Sequence, residues 1–241
     1  MKTCGIMQPY FLPYIGYFQL VDKCDAWVIF NNTQFISKGW VNRNRITNVN
    51  SAENPLWFNV PIKKSQKAII NKIEIASQIA WKQKLIAQFQ TLKKRSKYFD
   101  DASFILNEIL SLDTASLSQL LVHSLNVLMD ALQIKATVFV QDSDFPDIHP
   151  GLNLGAGGWA LAISKRVGAD VYINPVGGMH LFDHRTYNVA GVSLNYFELE
   201  LPSDLEYCLY SSYSILEVIA RHGLDATKKY IKLGRVYGVH E

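Results

Sequence analysis

Cysteine is scarce in this 241-residue chain, and Cys4, Cys24 and Cys208 are odd in number and widely spaced. That spacing excludes a disulfide framework and a zinc knuckle and suits reduced thiols. No uninterrupted apolar run approaches the ~20 residues needed to cross a bilayer. The opening "MKTCGIMQPYF" has too few apolar residues before Gln8 and Pro9 for a signal-peptide core. The expectation is a cytoplasmic protein with no membrane span. A large charge of one sign is also missing. Lys and Arg total 24 against 21 Asp and Glu, which argues against a nucleic-acid partner and for a phosphate-bearing small molecule met by local basic clusters.

Several catalytic signatures are absent as well. There is no G-x-S-x-G elbow, no Lys-Ser/Thr pair after a glycine loop, and no cysteine in an activating context. His180, Asp183 and His184 fall at helical spacing, but Leu181 stands where a hydrolytic zinc helix needs its glutamate and no third histidine follows at a useful interval. They read as a surface cluster. No metal is expected, and the residues name no cofactor.

What is present is a chain with 49% apolar residues, enough for a sizeable core. The expected organisation is a single α/β domain over residues 1–241. A strand at 3–7, a short helix at 15–21 and a strand at 26–30 open it. "LWFNVPI" and "KIEI" then read as two short strands. A mostly helical segment at about 79–132 follows, read as an insertion or second layer and carrying Trp81, Leu85, Phe89 and Leu92 on one stripe. Strand-helix alternation resumes with "ATVFVQDS", "GGWALAISKRVG" and "ADVYINP", and "GVSLNYFELELP" adds a strand. Two helices, "SILEVIARHG" and "ATKKYIKLG", close the chain. This βαβ order predicts a Rossmann-like parallel sheet with a helical insertion and ligands beyond the carboxyl ends of its strands.

Three segments are candidate ligand sites. The loop from Gln8 to Gly16, with Tyr10 and Tyr14 in it and Tyr17 just beyond, joins the first strand to the first helix, where backbone amides and a helix N-terminus favour anions. The same aromatics would equally fill a core. Residues 31–46 follow the second strand and combine Asn31, Asn32, Gln34, Lys38, Trp40, Asn42, Arg43 and Arg45, a mixture of amides, cations and an aromatic face that suits phosphate and a base or sugar. The third segment joins Gly155, Gly157 and Gly158 to Asn174, Gly177 and Gly178, glycines that also serve as ordinary turn residues.

The architecture is nucleotidyl-transferase-like, yet such enzymes carry two histidines around a glycine where this chain has Tyr14-Ile15-Gly16-Tyr17. Phenols donate hydrogen bonds but are poor proton shuttles at neutral pH. Through "QPYFLPYIGYFQLV", "VIFNNTQFISKGWVNRNRI", "GADVYINPVGG" and "SYSILEVIARHG" the chain resembles the WbqC-like family of bacterial polysaccharide-biosynthesis proteins. That resemblance implies a role in O-antigen and related lipopolysaccharide or surface-glycan synthesis, where some members are described as glycine or aminoacyl transferases acting on amino sugars. It also implies a pair of aspartates where this sequence has Asn31 and Asn32. The expected function is an aminoacyl or acyl transferase acting on a nucleotide-linked amino sugar. The alternatives are a divergent nucleotidyl transferase and a non-catalytic ligand-binding subunit of a glycan pathway. The residues name neither the sugar, the acyl donor nor an oligomeric state.

Overall fold

The computed structural model describes residues 1–51, 54–63, 68–76, 80–149, 152–203, 205 and 212–238; Cys208 lies outside them. A six-stranded sheet runs in the order β5-β2-β1-β6-β7-β8. Its strands are β1 (Thr3–Met7), β2 (Ala26–Ile29), β5 (Thr137–Val140), β6 (Val171–Pro175), β7 (Ser193–Glu198) and β8 (Arg235–Gly238). All neighbours are parallel except β7 and β8. A separate two-stranded sheet pairs β3 (Arg43–Ile46) with β4 (Leu56–Asn59) in antiparallel register. Strand order reverses at β1, with β2 on one side of it and β6 on the other, which makes the β1–β6 boundary the topological switch point of the sheet.

Alternate residues of each strand face opposite layers, and the two buried clusters follow that period. Trp27, Ile29, Val171, Ile173 and Phe197 join one cluster, with helices α1 (Ile15–Asp22), α2 (Ala80–Gln90), α3 (Phe99–Ser111), α4 (Leu117–Leu132) and α8 (Ile215–Ile231). Cys4, Ile6, Ala26, Val28, Tyr172, Leu194 and Tyr196 join the other, with α6 (Ala156–Val167) and α7 (His184–Val189). Segment α2 to α4 therefore adds to the core that α1 and α8 already share.

Local signals set the helix ends. Ser116 caps α4 by accepting from Gln119 N at 3.3 Å, and Ser214 caps α8 by accepting from Leu216 N. Gly168 ends α6 in the left-handed region at φ 70°. Gly223 bends α8 at φ 82°, and a Cβ there would meet the Tyr98 ring at 3.1 Å. The two closing helices expected from the sequence are thus present, meeting at the non-helical Gly223 inside α8.

Three expectations change. "KIEI" forms no strand: Ile70–Lys72 is a 3-10 turn, and Ile62 to Ile75 and Glu74 to Ser116 are isolated bridges. The strand in "ATVFVQDS" ends at Val140, where the chain turns at once into the short helix α5 (Gln141–Asp144). After α8 comes β8, an antiparallel edge strand whose four residues carry too little pattern to announce it.

Candidate functional site

The opening loop is built mainly as core. Phe11, Leu12 and Phe18 are buried, and Tyr17 is 1% exposed, its hydroxyl donating to the Gln8 carbonyl at 3.3 Å. Tyr10 lies 5.5 Å from Tyr17, ring to ring. A Cβ on Gly16 would stand 2.6 Å from the Tyr14 ring, so glycine is what lets that ring cover the first turn of α1. Burial pushes the phenols of Tyr10 and Tyr17 up, and Tyr14 rises to about 12 through burial first and its neighbour Tyr10 second. These groups stay protonated at neutral pH and act as donors.

The β3–β4 hairpin leans on this loop. Phe11 N donates to the Trp40 carbonyl at 3.1 Å, and Asn44 Nδ2 donates to the Leu12 carbonyl at 2.6 Å. Arg43 and Arg45 share one face of β3, as their spacing requires. Arg43 lies 4.5 Å over the Trp57 ring, with Nε donating to the Gly39 carbonyl at 3.0 Å and Nη2 to the Lys38 carbonyl. Its fork therefore closes the turn that holds Lys38 at φ 64°. Arg45 sits among Trp40, Trp57 and Tyr213 at 5.3 to 5.5 Å and donates to Ser212 Oγ at 2.7 Å. Trp40 stacks on Trp57 at 5.6 Å, Asn42 donates to the Val60 carbonyl at 2.9 Å, and Gln34 and Lys38 are exposed. Behind the hairpin, buried Glu217 accepts from Thr47 N at 2.7 Å and from Arg221 Nε at 2.8 Å, tying β3 to α8.

Asn31 belongs to a different cluster. It is 1% exposed, and its Nδ2 donates to Asp142 Oδ1 at 2.6 Å and to Ser118 Oγ at 2.9 Å. Asn71 Nδ2 donates to the other Asp142 oxygen at 3.0 Å, while Asp142 N donates back to Asn31 Oδ1 at 3.2 Å. Beside it Asn32 N donates to Gln141 Oε1 at 3.0 Å. The turns after β2 and β5 are thus stitched together, and the Asp142 carboxylate is fixed between two amides. It opens into a pocket of about 620 Å³. Gln119, Val122, His123 and Asn126, at helical spacing, form one wall from α4; Ser116, Ser118, Asn71, Asp142 and Ser143 supply further polar groups. Among the described residues no lysine or arginine lines it.

At the carboxyl end of β6, Asn174 Oδ1 accepts from the Tyr172 hydroxyl at 3.0 Å, and Asn174 Nδ2 donates to the Pro175 carbonyl at 2.7 Å. A Cβ on Gly178 would stand 2.5 Å from that nitrogen, whereas one on Gly177 would meet nothing. A Cβ on Gly157 would stand 2.9 Å from the Leu181 carbonyl, so glycine at this one position admits the neighbouring turn. Asp183 caps α7 by accepting from Thr186 N at 3.1 Å, and His184 Nε2 contacts the Tyr196 hydroxyl at 3.0 Å. Among the described residues no group of three metal-ligating side chains comes together, and no helix is long and apolar enough to cross a membrane.

The structure thus distributes the expected site residues over three places and joins Asn31 to groups that the sequence did not single out. Asn71, Ser118, His123 and Asp142 were missed. The available signal was the polar row 119, 123 and 126 on an otherwise leucine-rich helix, which reads as a solvated face. Asp142 was hidden inside an expected strand.

No solved structure matches the chain. Over 63 residues it is 33% identical to an uncharacterized protein, Rv1507c, of Mycobacterium tuberculosis (strain ATCC 25618 / H37Rv), a match covering 26% of this chain and 26% of that one. The WbqC-like protein family matches across residues 8–229, and the chain belongs to that family.

Proposed function

We infer that the protein transfers an acyl or aminoacyl group to the amine of a nucleotide-linked amino sugar in surface polysaccharide synthesis. The observation that carries this reading is the pocket at the carboxyl ends of β2 and β5, where Asp142 and His123 face one space of about 620 Å³. That size is within the ~300–1,000 Å³ of small-molecule sites, and the rim of a parallel sheet is where such folds bind ligands. In the reaction the sugar nitrogen attacks the carbonyl of an activated carboxyl donor, such as a thioester. The bound ammonium first gives one proton to a base, the freed nitrogen lone pair forms the N–C bond, the bond to the leaving group breaks, and the nitrogen's second proton leaves with the departing thiolate. His123 and Asp142 are this pocket's candidates for that base, and the pocket's main contribution is to hold the amine in place. The nucleotide's phosphates would meet the segment after β2, where Lys38 is exposed. The strand order 3-2-1-4-5-6, counted within the main sheet and with its last strand antiparallel, is consistent with a Rossmann-like scaffold.

The test is incubation with nucleotide-linked amino sugars and activated amino acids, read by mass spectrometry for the amide product. Amide formation that His123→Ala reduces at unchanged melting temperature supports the reading. Absence of product with every pair, alongside measured binding of the nucleotide sugar, overturns it. Pyrophosphate release from a nucleoside triphosphate would instead identify a nucleotidyl transferase.

A further inference from the structure

The chemistry of the pocket wall decides what kind of group enters it. We propose that the pocket between α4 and α5 takes a protonated primary amine carried on a hydroxyl-rich frame, and that Asp142 is the residue selecting it. The inference rests on the transferase reading only in naming an amino sugar as the natural ligand; the selectivity follows from the wall itself.

Asp142 is the one carboxylate lining the space among the described residues, and no lysine or arginine there offsets it. A phosphate pushed against it would meet a like charge in a half-enclosed site, so the phosphates of a nucleotide sugar must lie elsewhere. An ammonium group meets the opposite situation. Asn31 and Asn71 use one acceptor position on each Asp142 oxygen, at 2.6 and 3.0 Å. An ionised carboxylate offers about four such positions, so about two remain for a ligand. The same amide clamps prevent the carboxylate from rotating away, which gives a charge-assisted bond a fixed direction. Around it, Ser118, Ser143, Gln119 and Asn126 supply hydroxyl and amide groups that match sugar hydroxyls, with Leu112, Val122 and Val140 as the apolar remainder. Asn71 Oδ1 is buried with no hydrogen-bond partner among the described residues, a further acceptor beside the cationic position.

The experiment measures binding of D-glucosamine, D-glucose and glucosamine 6-phosphate to the full chain by titration calorimetry at about pH 6.5, where the amine is protonated. Glucosamine should bind about tenfold or more tighter than glucose, the ratio expected of one added charge-assisted bond. Asp142→Asn should lower glucosamine affinity about tenfold more than glucose affinity, so that the preference is lost. Gln119→Ala, an exposed change on α4 that leaves the Asp142 clamp intact, should weaken both sugars alike. Equal affinity for glucosamine and glucose in the unaltered protein overturns the proposal without reliance on any variant, as does tighter binding of the 6-phosphate than of glucosamine. Amine preference without amide formation from any activated donor would leave this inference standing and remove the transferase reading; amide formation without amine preference would do the reverse.

Discussion

Replacing Asn31 by aspartate tests the Asn31 and Asp142 contact directly. The wild-type amide donates to Asp142 Oδ1 at 2.6 Å from a side chain only 1% exposed. Asn31→Asp substitutes an acceptor for that donor and sets two carboxyl groups against each other. At an effective dielectric of 20 and about 4 Å between charge centres the repulsion is about 4 kcal/mol. For a chain of this size that lowers the Tm by about 8–16 °C. The sign with pH is fixed. Like charge raises the pair's affinity for a proton, so the penalty is absent below the ordinary carboxylate range near 4, grows as pH rises from there, and then levels off. Melting curves between about pH 4 and 8 should show wild type and variant diverging, and millimolar magnesium should recover part of the loss by bridging two carboxylates. Asn31→Ser, which loses the amide bonds without adding charge, should lower the Tm at pH 8 by less than Asn31→Asp does. A variant that melts with wild type at pH 8, or a gap equal at both ends of the range, would refute the contact. The experiment also restores one of the aspartates that resemblance to the family implies here.

Three further outcomes follow from the packing. Glu217→Ala should destabilise by about 3–5 kcal/mol in urea unfolding, because it strips a buried carboxylate from Arg221 and from Thr47 N; a loss under 1 kcal/mol would mean that β3 and α8 are not joined there. Burial pushes the Cys4 thiol to about 12 and Cys24 well above its usual value, so both should resist a thiol reagent at pH 8 in the folded protein and react only after denaturation. Asp25 accepts from Thr3 N at 2.8 Å and from Thr3 Oγ1 at 2.9 Å, contacts that hold its carboxyl below the usual range. Its contribution is complete above the unfolded carboxyl's range and lost as pH falls through the lowered value, so the Tm gap between wild type and Asp25→Asn should close on acidification.

Short-range order was legible in the sequence. The apolar run at 26–30, the stripe of α2, the glycine stop after α6 and the strand expected in 169–175, found at Val171–Pro175, each carry their own period or cap, and their succession implied the parallel sheet. What the sequence could not convey depends on partners far along the chain. Residues 43–46 become a strand by pairing with 56–59, and β8 forms only because β7 presents an open edge. The site divides in the same way. Asn31 was conspicuous because it follows a strand end, but its significance lies in Asp142, 111 residues away. Arg43 looked like a phosphate grip because a fork two residues from another arginine suits an anion; two of its five donors, on Nε and Nη2, point back to the Gly39 and Lys38 carbonyls. Nothing local distinguishes those uses.

The most direct test of the central claim is a crystal structure of the protein soaked with a nucleotide-linked amino sugar. The account predicts the sugar nitrogen within hydrogen-bond distance of Asp142, the ring against Gln119 and Asn126, and the phosphates outside the pocket. A sugar amine bound away from Asp142, or a phosphate seated against that carboxylate, would contradict it.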